Sequence, residues 1–521
     1  MQETFVVDKT IDKLRAKIKP QYKWAFLACF ITGILTFGYT ITHHFLTYDS
    51  LWNLVSDQDM ITSGRQFLTY VCTISTDYDL PWLNGLLAIF YMSVTSVLVV
   101  EGLEIKSPYL AALAGMILIT FPSMISTFCY TYTIDGYMMG VLLATAAFLV
   151  TDRKKWGCFL GIVFLGVSLG VYQAYISFTI VLCVLRLLQY ILNGTKIKEI
   201  MKTAGRYLFM GGAAYIFYYV TLQLMMKIKQ VELSDYQGVD SLETFSLSEV
   251  PTGIVVAYKQ FLNFLRPNFG LGTTTVMYVS VIALILLGVT IYLWSFIKAN
   301  TDKKWIRILL ILGLLLVTPI GTTLVCVMEP MVYFHMIMRL PWALFFVFVV
   351  ALAERMPVIE KVSVKKVCNG IAAAVCVFAI LMVSQFSITA NVATFNMEQR
   401  YEKTYGLCLR LVDRLEQTEG YKFGDKVAFI GGGVDQSKYP YTDFTAAYLE
   451  GYFGIEGVIA TNDTEKIVVF CRNYLNTSIM YASWEEQLEA IETEEFKGMD
   501  TFPGESSIKK IGDIWVVKLN G

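Results

Sequence analysis

The chain reads as a polytopic α-helical membrane protein with a small α/β domain at its C-terminal end. Three observations predict this. Charged residues make up 16% of the 521 positions and hydrophobic ones 55%, whereas soluble domains carry about 25% charged residues. Apolar runs of about 20 residues, the length that crosses a bilayer as a helix, recur along the chain. Basic residues gather in alternate loops between those runs, as the positive-inside rule expects.

The runs fall near 24–44, 81–100, 109–127, 132–150, 157–175, 176–192, 207–226, 272–297, 308–328, 335–353 and 368–388, about eleven helices. Residues 157–192 are nearly continuous, broken only at Tyr172–Gln173; two spans keep the loop charges on alternating sides. Residues 1–23 are polar and basic, and the following run lacks a small-residue cleavage site, so it reads as a retained anchor. Arg153–Lys154–Lys155 occupies one short loop. Lys196, Lys198, Lys202 and Arg206 follow in the next, then Lys298, Lys303, Lys304 and Arg307, then Arg355, Lys361, Lys365 and Lys366. With residues 1–23 cytoplasmic, all these loops share that side. The loops at 45–80 and 227–271 and the tail from 391 then face outward, around a membrane domain of residues 24–390.

The tail, 391–521, changes character. Residues 397–418 read as an amphipathic helix and Lys426–Ile430 as a strand. Ser483-Trp484-Glu485-Glu486 is a capping box that opens a helix. Ser506–Lys510 and Ile514–Leu519 pair across Gly512–Asp513. Gly431–Gly432–Gly433 lacks the remainder of a dinucleotide fingerprint and reads as a turn. A net charge of −1 gives no sign of nucleic-acid binding. The 10 cysteines and 3 histidines show no metal-ligand spacing; Cys408 and Cys471 are the pair that could bridge, and His43–His44 reads as a helix end.

Chemistry-bearing residues collect on the side assigned as outer. Asp49, Asp57 and Asp59 precede Arg65, the one cation of the first outer loop. A carboxylate at the membrane edge can be tuned as a general base, which is what a sugar hydroxyl needs when it attacks an anomeric carbon. A guanidinium suits the phosphate of a lipid-linked donor. The plain alternative for Asp49 and Ser50 is a helix cap, and for Asp57 and Asp59 a solvated face. Asp135 is an ionisable residue at membrane depth, a substrate contact or a cap. Tyr172–Gln173 could bond a sugar or only join helices. Glu329, His335 and Arg339 follow; Arg339 either holds a phosphate or snorkels. Arg266 is a weaker outer cation, and Arg186 reads as a snorkelling residue. A divalent ion on Asp49 and a second carboxylate is the metal alternative.

In these residues the chain resembles the Gtr type II glucosyl transferases, the bacterial and phage enzymes of O-antigen modification. The resemblance lies in the early acidic site followed by Gly64–Arg65, in Phe121–Pro122 followed by Asp135, and in Gly170-Val171-Tyr172-Gln173. The tail from Phe502–Pro503 through Ser507-Ile508-Lys509 to Val516-Val517-Lys518 looks like the C-terminus of Gram-positive members. The resemblance spans nearly the whole chain. It implies a GT-C type fold and a hexosyltransferase that uses an undecaprenyl (polyprenyl) phosphate-linked sugar, with glucose the expected hexose. The sugar would pass to a cell-envelope glycan outside the bacterial cytoplasmic membrane. It maps the catalytic base to Asp49. The phosphate contacts would then be Arg65 and Arg339, and the substrate contacts Asp135, Tyr172, Gln173 and His335. Many members carry two adjacent acids where this chain has Tyr48–Asp49, which favours a single base with no cofactor over a metal. The rival classes are a transporter or flippase of lipid-linked glycans and an assembly protein without enzymatic activity.

Overall fold

The computed structural model describes residues 12, 16, 18–44, 49–154, 156–234, 248–266, 274–299, 303–356, 362–431, 435, 437–438 and 464–520. Most of the basic N-terminal segment, Tyr48, Lys155, Lys361, Gly432 and Gly433 lie outside them, as do parts of the loop at 227–271. The chain forms two compact units. One comprises Met1–His43 and Val55–Asn391, the other His44–Leu54 and Val392–Gly521.

The first unit is helical. Among the described residues nine helices are long and apolar enough to cross a membrane, from Pro20–Thr42 to Lys365–Glu416. Two more, Pro108–Thr120 and Gly157–Val171, are apolar but shorter. Residues 157–192 form two helices, Gly157–Val171 and Ile176–Leu192, parted by a 3-10 turn at Gln173–Tyr175. Proline sets several starts: Pro20, Pro81, Pro108 and Pro122 all stand in first turns, where a missing N–H costs nothing and φ is already helical. Pro122 also ends the preceding helix at Thr120. Phe121 is thereby left to pack against Phe264, Phe346 and Phe386.

At the end where Arg153 lies, a buried ionic network joins the helices. Arg186 was expected to snorkel. Instead its side chain is 3% exposed and paired with Asp152 at 3.3 Å and Glu104 at 2.7 Å. The reason is satisfiability. Asp152 is buried and also accepts from Tyr190 (2.8 Å) and Tyr207 (2.6 Å). Arg186 further donates to Gln189, whose amide donates to the Leu103 carbonyl. The hydrogen bond from Arg186 pulls the Glu104 carboxyl down to about 2 against its desolvation. Arg307, 1% exposed, donates to the carbonyls of Ile191, Gly194 and Thr195 at the end of helix Ile176–Leu192. Ile191 stands in the last turn of that helix, and Gly194 and Thr195 follow its cap at Asn193.

The second unit carries a four-stranded sheet of order β2-β1-β4-β3. β1 is Lys426–Ile430, β2 Met480–Tyr481, β3 Ile508–Ile511 and β4 Ile514–Lys518. β1 pairs parallel with β2 and β4, and β3 with β4 antiparallel. Side chains alternate between two cores, as a pleated strand requires. Val427, Phe429, Trp515 and Val517 face a core with Leu411, Leu415 and Phe470; Ala428, Ile430, Ile514 and Val516 face one with Ala490 and Phe496. The capping box stands as read: Ser483 Oγ accepts from Glu486 N, and Glu486 accepts from Ser483 N. Cys408 and Cys471 share the first core as buried free thiols. Leu51 joins that core at 2% exposure, so residues 49–54 pack here and not with the rest of the loop at 45–80.

Arg186→Ala leaves the buried Asp152 only the more distant, one-third exposed Arg153 at 3.8 Å, a loss approaching that of a broken desolvated pair, about 3–5 kcal/mol. Thermal unfolding in detergent is expected to show a large fall in Tm for this variant. The fall should be much smaller for Arg153→Ala, whose side chain is one-third exposed.

Candidate active site

The strongest polar constellation of the first unit forms where two distant segments meet, 58–67 and 170–175. Gly64 sits in the left-handed region at φ 69°, a conformation β-carbon sterics reserve largely for glycine. It closes the turn Ile61–Ser63 and turns the chain so that Arg65 points back into the helices. Phe67 N donates to the Gly170 carbonyl at 2.8 Å. A β-carbon at Gly170 would lie 2.4 Å from the Phe67 ring, so only glycine permits this approach.

Beyond Gly170 the helix ends, and Tyr172 and Gln173 take up the other segment. The Arg65 guanidinium lies over the Tyr172 ring, 4.8 Å from its centroid, and its Nη1 donates to Tyr137 Oη at 3.0 Å. Tyr137, Tyr172 and Tyr175 pack with centroids 5.2–6.4 Å apart. A cation on such ring faces is attracted by their quadrupoles. Gln173 Nε2 donates to the carbonyls of Ser63 and Gly64, both at 3.0 Å, and reaches Tyr218 Oη at 3.2 Å. Tyr218 Oη donates to the same Gly64 carbonyl at 3.0 Å.

A second cluster adjoins this one, because the turn Gln173–Tyr175 contacts the turn Met336–Trp342. Arg339, 4% exposed, does not snorkel. Its Nη2 donates to Gln260 Oε1 and the Phe334 carbonyl, both at 3.1 Å, and its guanidinium lies over the rings of Phe264 and Phe334. His335 Nε2 is 3.5 Å from Tyr130 Oη.

Asp135 is 2% exposed in the first turn of Ile134–Arg153 and accepts from Ser75 Oγ. The helix N-terminus favours its charge. Asp49 belongs to the second unit. It is exposed and opens a turn in which its carbonyl accepts from Trp52 N and Asn53 Nδ2; no helix starts there to be capped. Asp59 pairs with Lys229 at 3.0 Å, an exposed contact screened by solvent. Arg266 is exposed. Among the described residues no three His, Cys, Asp or Glu side chains are placed to hold a metal ion.

The structure therefore joins Arg65 with Tyr172 and Gln173, and Arg339 with His335. Sequence reasoning missed Tyr137, Tyr218, Tyr130 and Gln260. One signal could have found Tyr218. Tyr207, Met210, Ala214, Tyr218 and Leu222 are the buried stripe of helix Ile197–Lys229, at a spacing of three to four.

Membrane-length helices around two aromatic-bound arginines, Arg65 half-buried and Arg339 buried, define a polytopic membrane protein. The chain belongs to the glucosyl transferase GtrII family, whose model matches residues 38–352, more than half its length. It is accordingly a membrane glycosyltransferase. The match takes in both clusters, Asp49 and Asp135; the tail lies beyond it. No curated protein and no solved structure matches the chain.

Gly170→Ala should force the Phe67 ring aside and cost about 1–3 kcal/mol, the usual range for overpacking. Gly211→Ala, on an open helix face with nothing within 4 Å, should be neutral or stabilising by up to about 1 kcal/mol. Paired denaturation curves in one detergent check the contrast.

Proposed function

We propose that the protein transfers a hexose, glucose in the first instance, from a polyprenyl-phosphate donor to a cell-envelope glycan on the outer side of the cytoplasmic membrane, within a GT-C type fold. The observation that carries this reading is the Arg65 guanidinium, fixed on an aromatic face inside a helical membrane unit. Cationic side chains that meet a leaving phosphate need that kind of advance placement. The acceptor hydroxyl must lose a proton as the C–O bond forms. The lipid phosphate leaves as a stable anion and needs charge stabilisation, not protonation.

In this mechanism Asp49 takes the acceptor proton, Arg65 and Arg339 hold the donor phosphate, and Asp135, Tyr172 and His335 contact sugar. The second unit is the extracytoplasmic domain, with residues 1–23 cytoplasmic. A single carboxylate at position 49 supports a one-base mechanism without a cofactor.

Asp49→Asn keeps the shape and removes the base. The expected loss of transfer is about 10²–10⁴-fold, the usual contribution of a general base. The loss is read by mass and linkage analysis of envelope glycan from cells carrying either form at equal expression. Wild-type modification by a folded Asp49→Asn protein would remove Asp49 from the mechanism. Movement of a labelled lipid-linked sugar across the bilayer, with no new glycosidic bond, would favour a flippase.

A further inference from the structure

The residues flanking Arg65 carry a set of long-range hydrogen bonds, three of them to helix Ile197–Lys229. The Gly64 carbonyl accepts from both Gln173 and Tyr218, and Gln173 also bonds the Tyr218 hydroxyl, which closes a three-membered ring of contacts. On the other side Gln66 Nε2 donates to the Tyr218 carbonyl at 3.1 Å and to Thr221 Oγ1 at 3.2 Å. Farther out, Ser234 N and Oγ both donate to the Thr62 carbonyl. The backbone is thus fixed at residues 62, 63, 64 and 67 and the side chain at 66. Arg65, between them, reaches the other way, to Tyr137 and Tyr172.

Tyr218 is 1% exposed, in a helix whose neighbouring Tyr219 and Val220 face outward. A hydroxyl in that setting is costly unless bonded, and here it is bonded to the residue before Arg65. Packing alone would be served by phenylalanine.

We propose that Tyr218 and Gln173 are positioning residues that act through Arg65. Their shared contact with the Gly64 carbonyl sets the direction of the guanidinium, so that it meets an anionic phosphate without reorganising. Gln173 on this account does not bind sugar. The inference rests on the reading of Arg65 as a phosphate ligand.

The test is a double-mutant cycle read as the Kd for a polyprenyl monophosphate, titrated into the full-length protein in detergent. Tyr218→Phe should weaken binding about tenfold beside native Arg65, and less than about twofold beside Arg65→Lys, where there is no oriented guanidinium left to lose. Gln173→Met, which removes the amide at similar volume, should repeat the pattern. Thr221→Val, whose hydroxyl bonds Gln66 and the Phe217 and Tyr218 carbonyls of its own helix but not Gly64, should change Kd less than about twofold. Additive losses in the double variants would overturn the inference, as would native affinity in Tyr218→Phe and Gln173→Met. A different result marks failure of the underlying reading: Arg65→Ala binding the phosphate as tightly as wild type, whatever the Tyr218 variants do.

Discussion

The carbonyl of Gly64 is the point on which the site turns. It belongs to a residue in the left-handed region, and it accepts from an amide and a phenol borne by two different helical segments. In a low-dielectric interior such bonds are stronger than in water, and a carbonyl stripped of them costs about 1–3 kcal/mol. The arrangement is therefore close to all-or-none. Gly170 must lack a side chain so that Phe67 can approach, Tyr172 must leave the helix to lie under Arg65, and Gln173 must follow it to reach residues 63 and 64. Three residues of the segment 170–173 thus have one joint role, and it explains why a glycine, a tyrosine and a glutamine stand at 170, 172 and 173.

The rest of the first unit supplies rigidity. A site made of short hydrogen bonds between separate helices works only if those helices hold their places. The network of Arg186, Asp152 and Glu104 secures helices Ile134–Arg153, Ile176–Leu192 and Ile197–Lys229 at the other end from Arg65, through Tyr190 and Tyr207 as well as the ion pairs. The same helices supply Tyr137 and Tyr218 to the site. Buried ion pairs contribute little net stability over apolar residues but are severe to break, so this network fixes arrangement more than it adds free energy.

Much of this was legible in the sequence. Apolar run lengths placed the helices, because the bilayer imposes one length on every crossing. The capping box and the Gly512–Asp513 turn placed a helix and a hairpin in the tail, because both signals are local. Gly64–Arg65 and Tyr172–Gln173 stood out as polar breaks in apolar surroundings. What stayed hidden depends on long-range partners. Arg186 looked like a snorkelling residue because its partners Asp152 and Glu104 lie far from it in the chain. The bonds of Gln173 to residues 63 and 64 stayed hidden because nothing local ties an amide to residues so far away in the chain. Leu51 gave no hint that residues 49–54 pack with the C-terminal unit, since a leucine beside an apolar run suits either unit. Tyr218 was readable from its helical stripe, but an aromatic in a membrane helix draws attention to the lipid first.

If Arg65 holds the donor phosphate, it is set in place before any donor arrives. The most direct measurement is a cryo-electron-microscopy pair: the protein alone, and the protein with a non-transferable polyprenyl-phosphate sugar. The account predicts the donor phosphate within hydrogen-bonding distance of Arg65. It also predicts that the guanidinium stays over Tyr172 in both states, with shifts of no more than about 1 Å. A phosphate bound elsewhere, or an Arg65 that leaves Tyr172 and swings several ångströms to meet it, would contradict the account.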